Sequence, residues 1–202
     1  CIAFILAFTM AQGLSPWYAS FLMRTHGYSS GELGLWLGLI FCFGGISGTL
    51  IGGFVSSRWF GDDERQQMRM SAISVAAILP CVLGFLLMPS RELALLSMIP
   101  FIVIGTFNVG PAYALLQRLA PDNMRATLMA TVMLMCNLIG FGLGPLLVGI
   151  ISDTFSRTLG ADSLRYSMVA MSFLALWSAY HFWRAGDTAK DDISAIQSPA
   201  LA

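Results

Sequence analysis

The chain has 202 residues, 56% of them hydrophobic and 11% charged, with a net charge of zero. A soluble domain carries roughly a quarter of its residues as charges. This composition and a mean hydropathy of +0.73 therefore exclude one and point to an all-α integral membrane protein. Neutral net charge and the lack of any basic run leave no footprint for nucleic acid.

Apolar runs of roughly 20 residues between short charged loops predict transmembrane helices, since barrel strands would be about half as long and alternating. Six are expected, at about 1–23, 30–57, 70–88, 93–119, 124–152 and 164–184, with 186–202 as a disordered cytoplasmic tail. The chain opens at Cys1 inside an apolar run, without an initiating Met or the charged flank of a signal peptide, and reads as part of a longer protein. Cys1, Cys42, Cys81 and Cys136 sit far apart in apolar segments. They read as small buried hydrophobes, and no metal site or cofactor is expected.

In the first helix Thr9, Gln12 and Pro16 share a face. Gln12 either lines a cavity or bonds a neighbouring helix, because a polar group in lipid needs a partner. Trp17 and Tyr18, near the helix end, read as interfacial anchors rather than substrate-stacking rings. A short loop follows, with His26 solvated, Ser29 or Ser30 as N-cap and Glu32 in the next first turn. The second helix carries Gly34 and Gly38, then Gly44, Gly48 and Gly52, a groove for close packing. Arg58 at its exit caps the helix, holds a carboxylate from elsewhere, or anchors the positive side.

The third helix, containing Pro80, has few polar groups and reads as a peripheral, lipid-facing support. In the fourth, Pro100 and Asn108-Val-Gly110-Pro111 predict a kink. Thr106, Gly110, Tyr113 and Gln117 form a polar face there, for cavity lining or helix–helix hydrogen bonding. A compact loop containing Arg118 and Arg125 leads into the fifth helix, where Asn137, Gly140 and Gly144 share a face. Gly140 and Gly144 form G-x-x-x-G, and Pro145 follows directly, so this turn reads as a bending or sliding element, with Asp153 at the exit to water. Tyr166, Trp177, Tyr180 and Trp183 give the sixth helix an aromatic belt, and His181 reads as interfacial rather than as a proton relay.

The loops alternate between two sides. The side with Arg58, Arg65, Arg69, Arg118, Arg125, Arg184 and Lys190 outweighs that with Arg24, Arg91, Arg157 and Arg165, which predicts a cytoplasmic C-terminus in an inner or plasma membrane. The triplets echo each other. Arg24 precedes the second helix as Arg118 precedes the fifth, and the Gly53–Ser57 exit corresponds to Gly149–Asp153, the mark of an inverted repeat of three helices.

The run from Gly140 to Pro145 resembles the eleventh helix of the major facilitator superfamily. The exit from Gly53 to Arg65 is similar to that family's cytoplasmic signature G-x-x-x-D-R-x-G-R-R, with Ser57 in place of the Asp and the glycine one place late at Gly61. The runs Met124–Ala130 and Asn137–Asp153 look most like spinster-type members, which are linked to lysolipid or sphingolipid export.

The resemblance implies the C-terminal six-helix half of a twelve-helix transporter. It would close on an N-terminal half in the lipid bilayer and move a small-molecule or lipid substrate by alternating access. It places the first, second, fourth and fifth helices towards the other half and the third and sixth towards lipid. Gln12, Thr106, Asn108, Tyr113, Gln117 and Asn137 become substrate or cavity residues. Arg58, Arg125, Gly140, Gly144, Pro145 and Asp153 become gating and interdomain residues. Every Asp and Glu falls in a loop, a helix end or the tail, so a coupling acid belongs to the other half.

An organic-acid/proton symporter is the alternative within this family. A rhomboid-like intramembrane serine protease is a rival, because Gly45-Ile-Ser47-Gly48 matches G-x-S-G with His181 as base. Ser47 reads better as a small packing residue. A non-transporting sensor or scaffold on the same fold is the third reading.

Overall fold

The computed structural model describes residues 1–59, 63–118 and 120–197, with side chains described for all of these except 122 and 189–197. Gly61 and Asp62 of the exit motif lie outside the described residues. The described chain is helical throughout: α1 (Ile2–Leu14), α2 (Trp17–His26), α3 (Ser30–Trp59), α4 (Glu64–Leu87), α5 (Arg91–Phe107), α6 (Val109–Arg118), α7 (Arg125–Met135), a π-helical segment (Cys136–Leu143), α8 (Gly144–Leu159), α9 (Ser163–Ser172) and α10 (Leu174–Gln197). Among the described residues four helical stretches are long and apolar enough to cross a membrane, or five if the bent pair of α1 and α2 is one span.

Breaks fall where the backbone chemistry requires them. Pro16, which has no N–H to continue the ladder, separates α1 from α2 at a bend of 45°. Asn108 separates α5 from α6, followed closely by Gly110 and Pro111. Before Pro145 the ladder widens into the π-segment, where the Gly144 N–H reaches back to the Ile139 carbonyl. Two glycines adopt positive φ. Gly27 (φ 68°) ends α2 in a left-handed cap, and Gly160 (φ 54°) turns the chain after α8. That turn is a full reversal. The hydroxyls of Ser152 and Ser163 are 3.2 Å apart, whereas a continuous helix would put eleven residues about 16 Å apart.

Packing is tightest where glycines remove side chains. A Cβ on Gly52 would lie 2.7 Å from the Phe107 carbonyl carbon, one on Gly48 would overlap the Val103 carbonyl, and one on Gly44 would lie 3.1 Å from Ile102 Cγ2. The groove expected on this helix therefore holds α5, while Gly34, Gly38 and Gly53 have nothing within contact range among the described residues. On the other flank, α1 crosses the start of α8, where a Cβ on Gly144 would lie 2.8 Å from the Gly13 Cα. A Cβ on Gly140 would press on the Phe8 ring at 2.7 Å.

Several boundaries differ from expectation. The third helix begins at Glu64 rather than near 70, because the Asp63 side chain caps it by accepting from the Arg65 and Gln66 N–H groups. The fifth runs to Leu159, so Asp153 lies exposed within α8 rather than at its exit. The segment expected to be a disordered tail continues α10 to Gln197. Its first turn is tied down, with Asp187 3.4 Å from Arg65 and 3.8 Å from Arg69. The third helix is also no mere support. Val75, Val82, Phe85 and Leu86 of α4 are buried in the core against α5, α9 and α10.

Candidate functional site: an apolar cavity between two broken helices

A cavity of about 350 Å³ opens between α1–α2 on one side and α5–α6 on the other. Phe4, Phe8, Tyr18, Phe41, Phe101 and Phe182 give it aromatic walls, and Val75 and Ile78 of α4 complete them. Both breaks reach it, because Ser15 beside Pro16 and Asn108 between α5 and α6 are lining residues. A break inside an apolar bundle is tolerated where the freed backbone faces protein or a cavity.

The expected cavity residues divide. Gln12, Thr106, Asn108 and Tyr113 line the cavity; Gln117 and Asn137 do not. Gln117 is exposed at the end of α6, where its backbone carbonyl accepts from Arg125 Nε at 3.2 Å. Exposed Asn137 turns back on its own helix, its Nδ2 donating to the Met133 carbonyl at 2.7 Å. Thr106 is likewise occupied with backbone: its hydroxyl lies 3.0 Å from the Ile102 carbonyl and 3.4 Å from that of Gly44 on α3. Tyr113 stacks edge-on with Phe4 at 5.2 Å and sends its hydroxyl to Met133 Sδ.

Asn108 is the odd group. It is buried, and neither its Nδ2 nor its Oδ1 has a hydrogen-bond partner among the described residues. An unmet buried amide costs about 1–3 kcal/mol per group, so this side chain is set apart from the paired polar groups around it.

Tyr18 is where sequence reasoning went wrong. It is 2% exposed, not an interfacial anchor, and its ring is enclosed by Phe85 (5.6 Å), Phe101 (5.9 Å) and Phe41 (6.2 Å). Its hydroxyl has no hydrogen-bond partner among the described residues, and neither do the side chains of Gln12 and Ser15. The i, i+3, i+6 spacing of 12, 15 and 18 was a legible signal, overlooked because Pro16 interrupts it. Trp17 is not a simple anchor either. Its Nε1 donates to the Pro145 carbonyl at 3.2 Å, and its ring lies against Gly149, which ties α2 to the start of α8.

Among the described residues no Asp, Glu, Lys, Arg or His lines the cavity. An ion entering would lose hydration worth several kcal/mol. Aromatic faces return only about 0.5–2 kcal/mol to a cation, and they repel an anion. These walls therefore favour uncharged groups.

The expected gating residues are spread over the bundle. Gly140, Gly144 and Pro145 meet α1 and α2 at the π-segment. Arg58 lies exposed at the end of α3 and Arg125 at the start of α7. Ion pairs collect at two opposite ends. Arg118–Glu64 (3.3 Å) and Arg65–Asp187 (3.4 Å) mark the end that holds the start of α4. Arg91–Glu32 (2.7 Å), with Arg91 over the Tyr28 ring at 3.8 Å, marks the other. The Ser47 hydroxyl donates to the Gly44 carbonyl at 3.2 Å, as a packing serine does, and no hydrogen bond joins it to His181 among the described residues.

An apolar helical bundle with a cavity between interrupted helices is the architecture of an integral membrane transporter. The family model of the Major Facilitator Superfamily matches residues 1–200. The chain is 32% identical over 190 residues to an MFS-type efflux pump of Mycolicibacterium smegmatis, covering 93% of this chain and 44% of that protein. It superposes on a bacterial homologue of the human lysosomal transporter Spinster in an inward-facing, unoccupied conformation, with TM-score 0.81, 23% identity, and coverage of 95% of this chain and 47% of that one. The occupied, inward-facing form of such a homologue gives TM-score 0.80 at 24% identity, covering 94% and 48%. The chain thus spans about half the length of these relatives. It belongs to the Major Facilitator Superfamily, a family of transporters and not of enzymes.

Proposed function

We propose that this chain is the C-terminal six-helix half of a twelve-helix, spinster-like secondary transporter that moves an amphipathic or organic solute by alternating access. One observation carries the reading: the cavity lies between two broken helices, α1–α2 and α5–α6, with a lining residue at each break. Interrupted helices in corresponding positions of two repeats are the usual sign of a transporter's central site.

Here they are the first members of the two expected triplets. The second members, α3 and α7–α8, both make glycine-backbone crossings, and the third members, α4 and α9–α10, pack on each other. This matching of roles supports an inverted repeat of three helices. The missing wall of the cavity belongs to the N-terminal half. The end holding Arg58, Arg65, Arg69, Arg118, Arg125 and Arg184 faces the cytoplasm by the positive-inside rule. Export is the favoured direction, in line with the efflux relative. An organic acid would need its cation, and a proton-coupled cycle its carboxylate, from the other half.

The test is transport by the full-length parent in proteoliposomes, comparing a fluorescent lysolipid with small organic acids, with and without a pH gradient. Flux of at least one solute, lost when Ala11→Trp fills the cavity while the protein stays monodisperse, is the expected result. A folded parent that moves none of them would leave the sensor or scaffold reading in its place.

A further inference from the structure

The cavity holds polar groups that the protein itself does not use. Gln12 on α1, Ser15 at the break and Tyr18 on α2 all line it, and none has a hydrogen-bond partner among the described residues. Tyr18 is buried and Gln12 and Ser15 are half-buried; polar groups so enclosed are normally paired, so three without a partner in one cavity wall are available to an outside one. Together they offer four donor hydrogens: two on the amide and one on each hydroxyl. The Tyr18 ring is also held in place by the rings of Phe41, Phe85 and Phe101, which limits the positions its hydroxyl can take. Around these groups the wall is aromatic and carries no charge.

We infer that the Tyr18 hydroxyl, with the Gln12 amide and the Ser15 hydroxyl, recognises an uncharged, largely apolar molecule through a hydrogen-bond-accepting carbonyl group. The carbonyl takes a hydrogen bond on each lone pair, and the apolar body stacks among the aromatic rings. Charged solutes are disfavoured because hydrogen bonds without a counter-charge do not offset the several kcal/mol of hydration an ion loses. The three groups also straddle the Ser15–Pro16 break, so a change in the 45° bend alters their spacing and ties recognition to the state of the helix. This inference rests on the transporter reading above and names its substrate class.

The experiment uses the full-length parent in the flux assay, with four inhibitors that share one ring system: 1-naphthamide, 1-naphthoate, 1-naphthylmethylammonium and the hydrocarbon 1-isopropylnaphthalene. The amide should inhibit at concentrations at least about tenfold below either ion. Tyr18→Phe keeps the ring and removes only the hydroxyl. It should raise the half-inhibiting concentration of the amide about three- to tenfold, as expected for one hydrogen bond, and leave that of the hydrocarbon unchanged. Gln12→Leu should do the same from the other side of the break.

Equal potency of an ion, no response of amide inhibition to either substitution, or an equal loss for the hydrocarbon would each overturn the inference while leaving the transporter intact. Absence of flux for every solute would sink the transporter reading instead. The same four probes, titrated calorimetrically into the purified parent and its variants, then decide this one by the same pattern.

Discussion

Adding one methyl group at three successive crossings of α3 over α5 tests the packing argument most directly. Gly44, Gly48 and Gly52 lie one turn apart on one face, so alanine brings each the same gain in helix propensity, about 1 kcal/mol. What the methyl meets differs. At Gly44 it meets the Cγ2 branch methyl of Ile102 at 3.1 Å, a side-chain atom that needs to shift by only a few tenths of an ångström. At Gly52 it meets the Phe107 carbonyl carbon at 2.7 Å and Cα at 2.9 Å, main-chain atoms that move only if the helices separate. Overpacking of that kind costs about 1–3 kcal/mol.

Gly44→Ala should therefore be neutral or stabilising by up to about 1 kcal/mol, and Gly52→Ala should destabilise by up to about 2 kcal/mol net of the propensity gain. Gly48→Ala should fall between them or match Gly52→Ala. In a thermal unfolding series on the purified parent in detergent, the first and last variants should differ by a few degrees in Tm. The separation also has a functional reading, because α3 brings Phe41 and α5 brings Phe101 to the same cavity, so Gly52→Ala should weaken transport as well. Equal Tm for Gly44→Ala and Gly52→Ala, or a rise in Tm for the latter, would refute the argument that backbone contact dictates glycine here.

Three further outcomes are expected. Asn108→Leu removes two unmet buried polar atoms and should raise Tm while lowering flux; a fall in Tm would mean that the amide is satisfied in the intact protein. Trp17→Phe deletes the hydrogen bond to the Pro145 carbonyl, costing about 0.5–1.5 kcal/mol, and should change transport rate more than solute affinity if the bond governs bending at the π-segment. The Ser178 hydroxyl donates to the Ala3 carbonyl at 2.7 Å in a buried contact between α10 and α1. Ser178→Ala should accordingly cost about 1 kcal/mol in thermal unfolding and leave relative solute preference unchanged.

Much of the molecule was legible in the chain because the signals are local. Long apolar runs, the Asn108–Pro111 cluster and Pro145 act through backbone chemistry within a few residues and gave helices, a break and the π-segment near their expected places, whereas Pro100 sits inside unbroken α5 and Pro16 splits a helix expected to run over 1–23. Gln12, Thr106, Asn108 and Tyr113 reached the cavity because they lie close to those breaks. Gln117 and Asn137 did not. Helical spacing put them on promising faces, but Gln117 is past the end of the wall and Asn137 bonds its own helix.

The sequence by itself determined the membrane class, the break at Asn108, the deformable turn before Pro145 and the need for close approach at Gly44, Gly48, Gly52 and Gly144. Only tertiary structure decided that α5 fills the first three and Gly13 meets the last, that α4 is enclosed, and that Tyr18 is buried against the cavity while neighbouring Trp17 bonds across to Pro145. The reason lies in the solvent. In water a helix marks its packing face by hydrophobicity, whereas lipid is as apolar as a protein core. In this chain the outward and inward faces are both apolar, and what each one touches is settled only when the helices assemble.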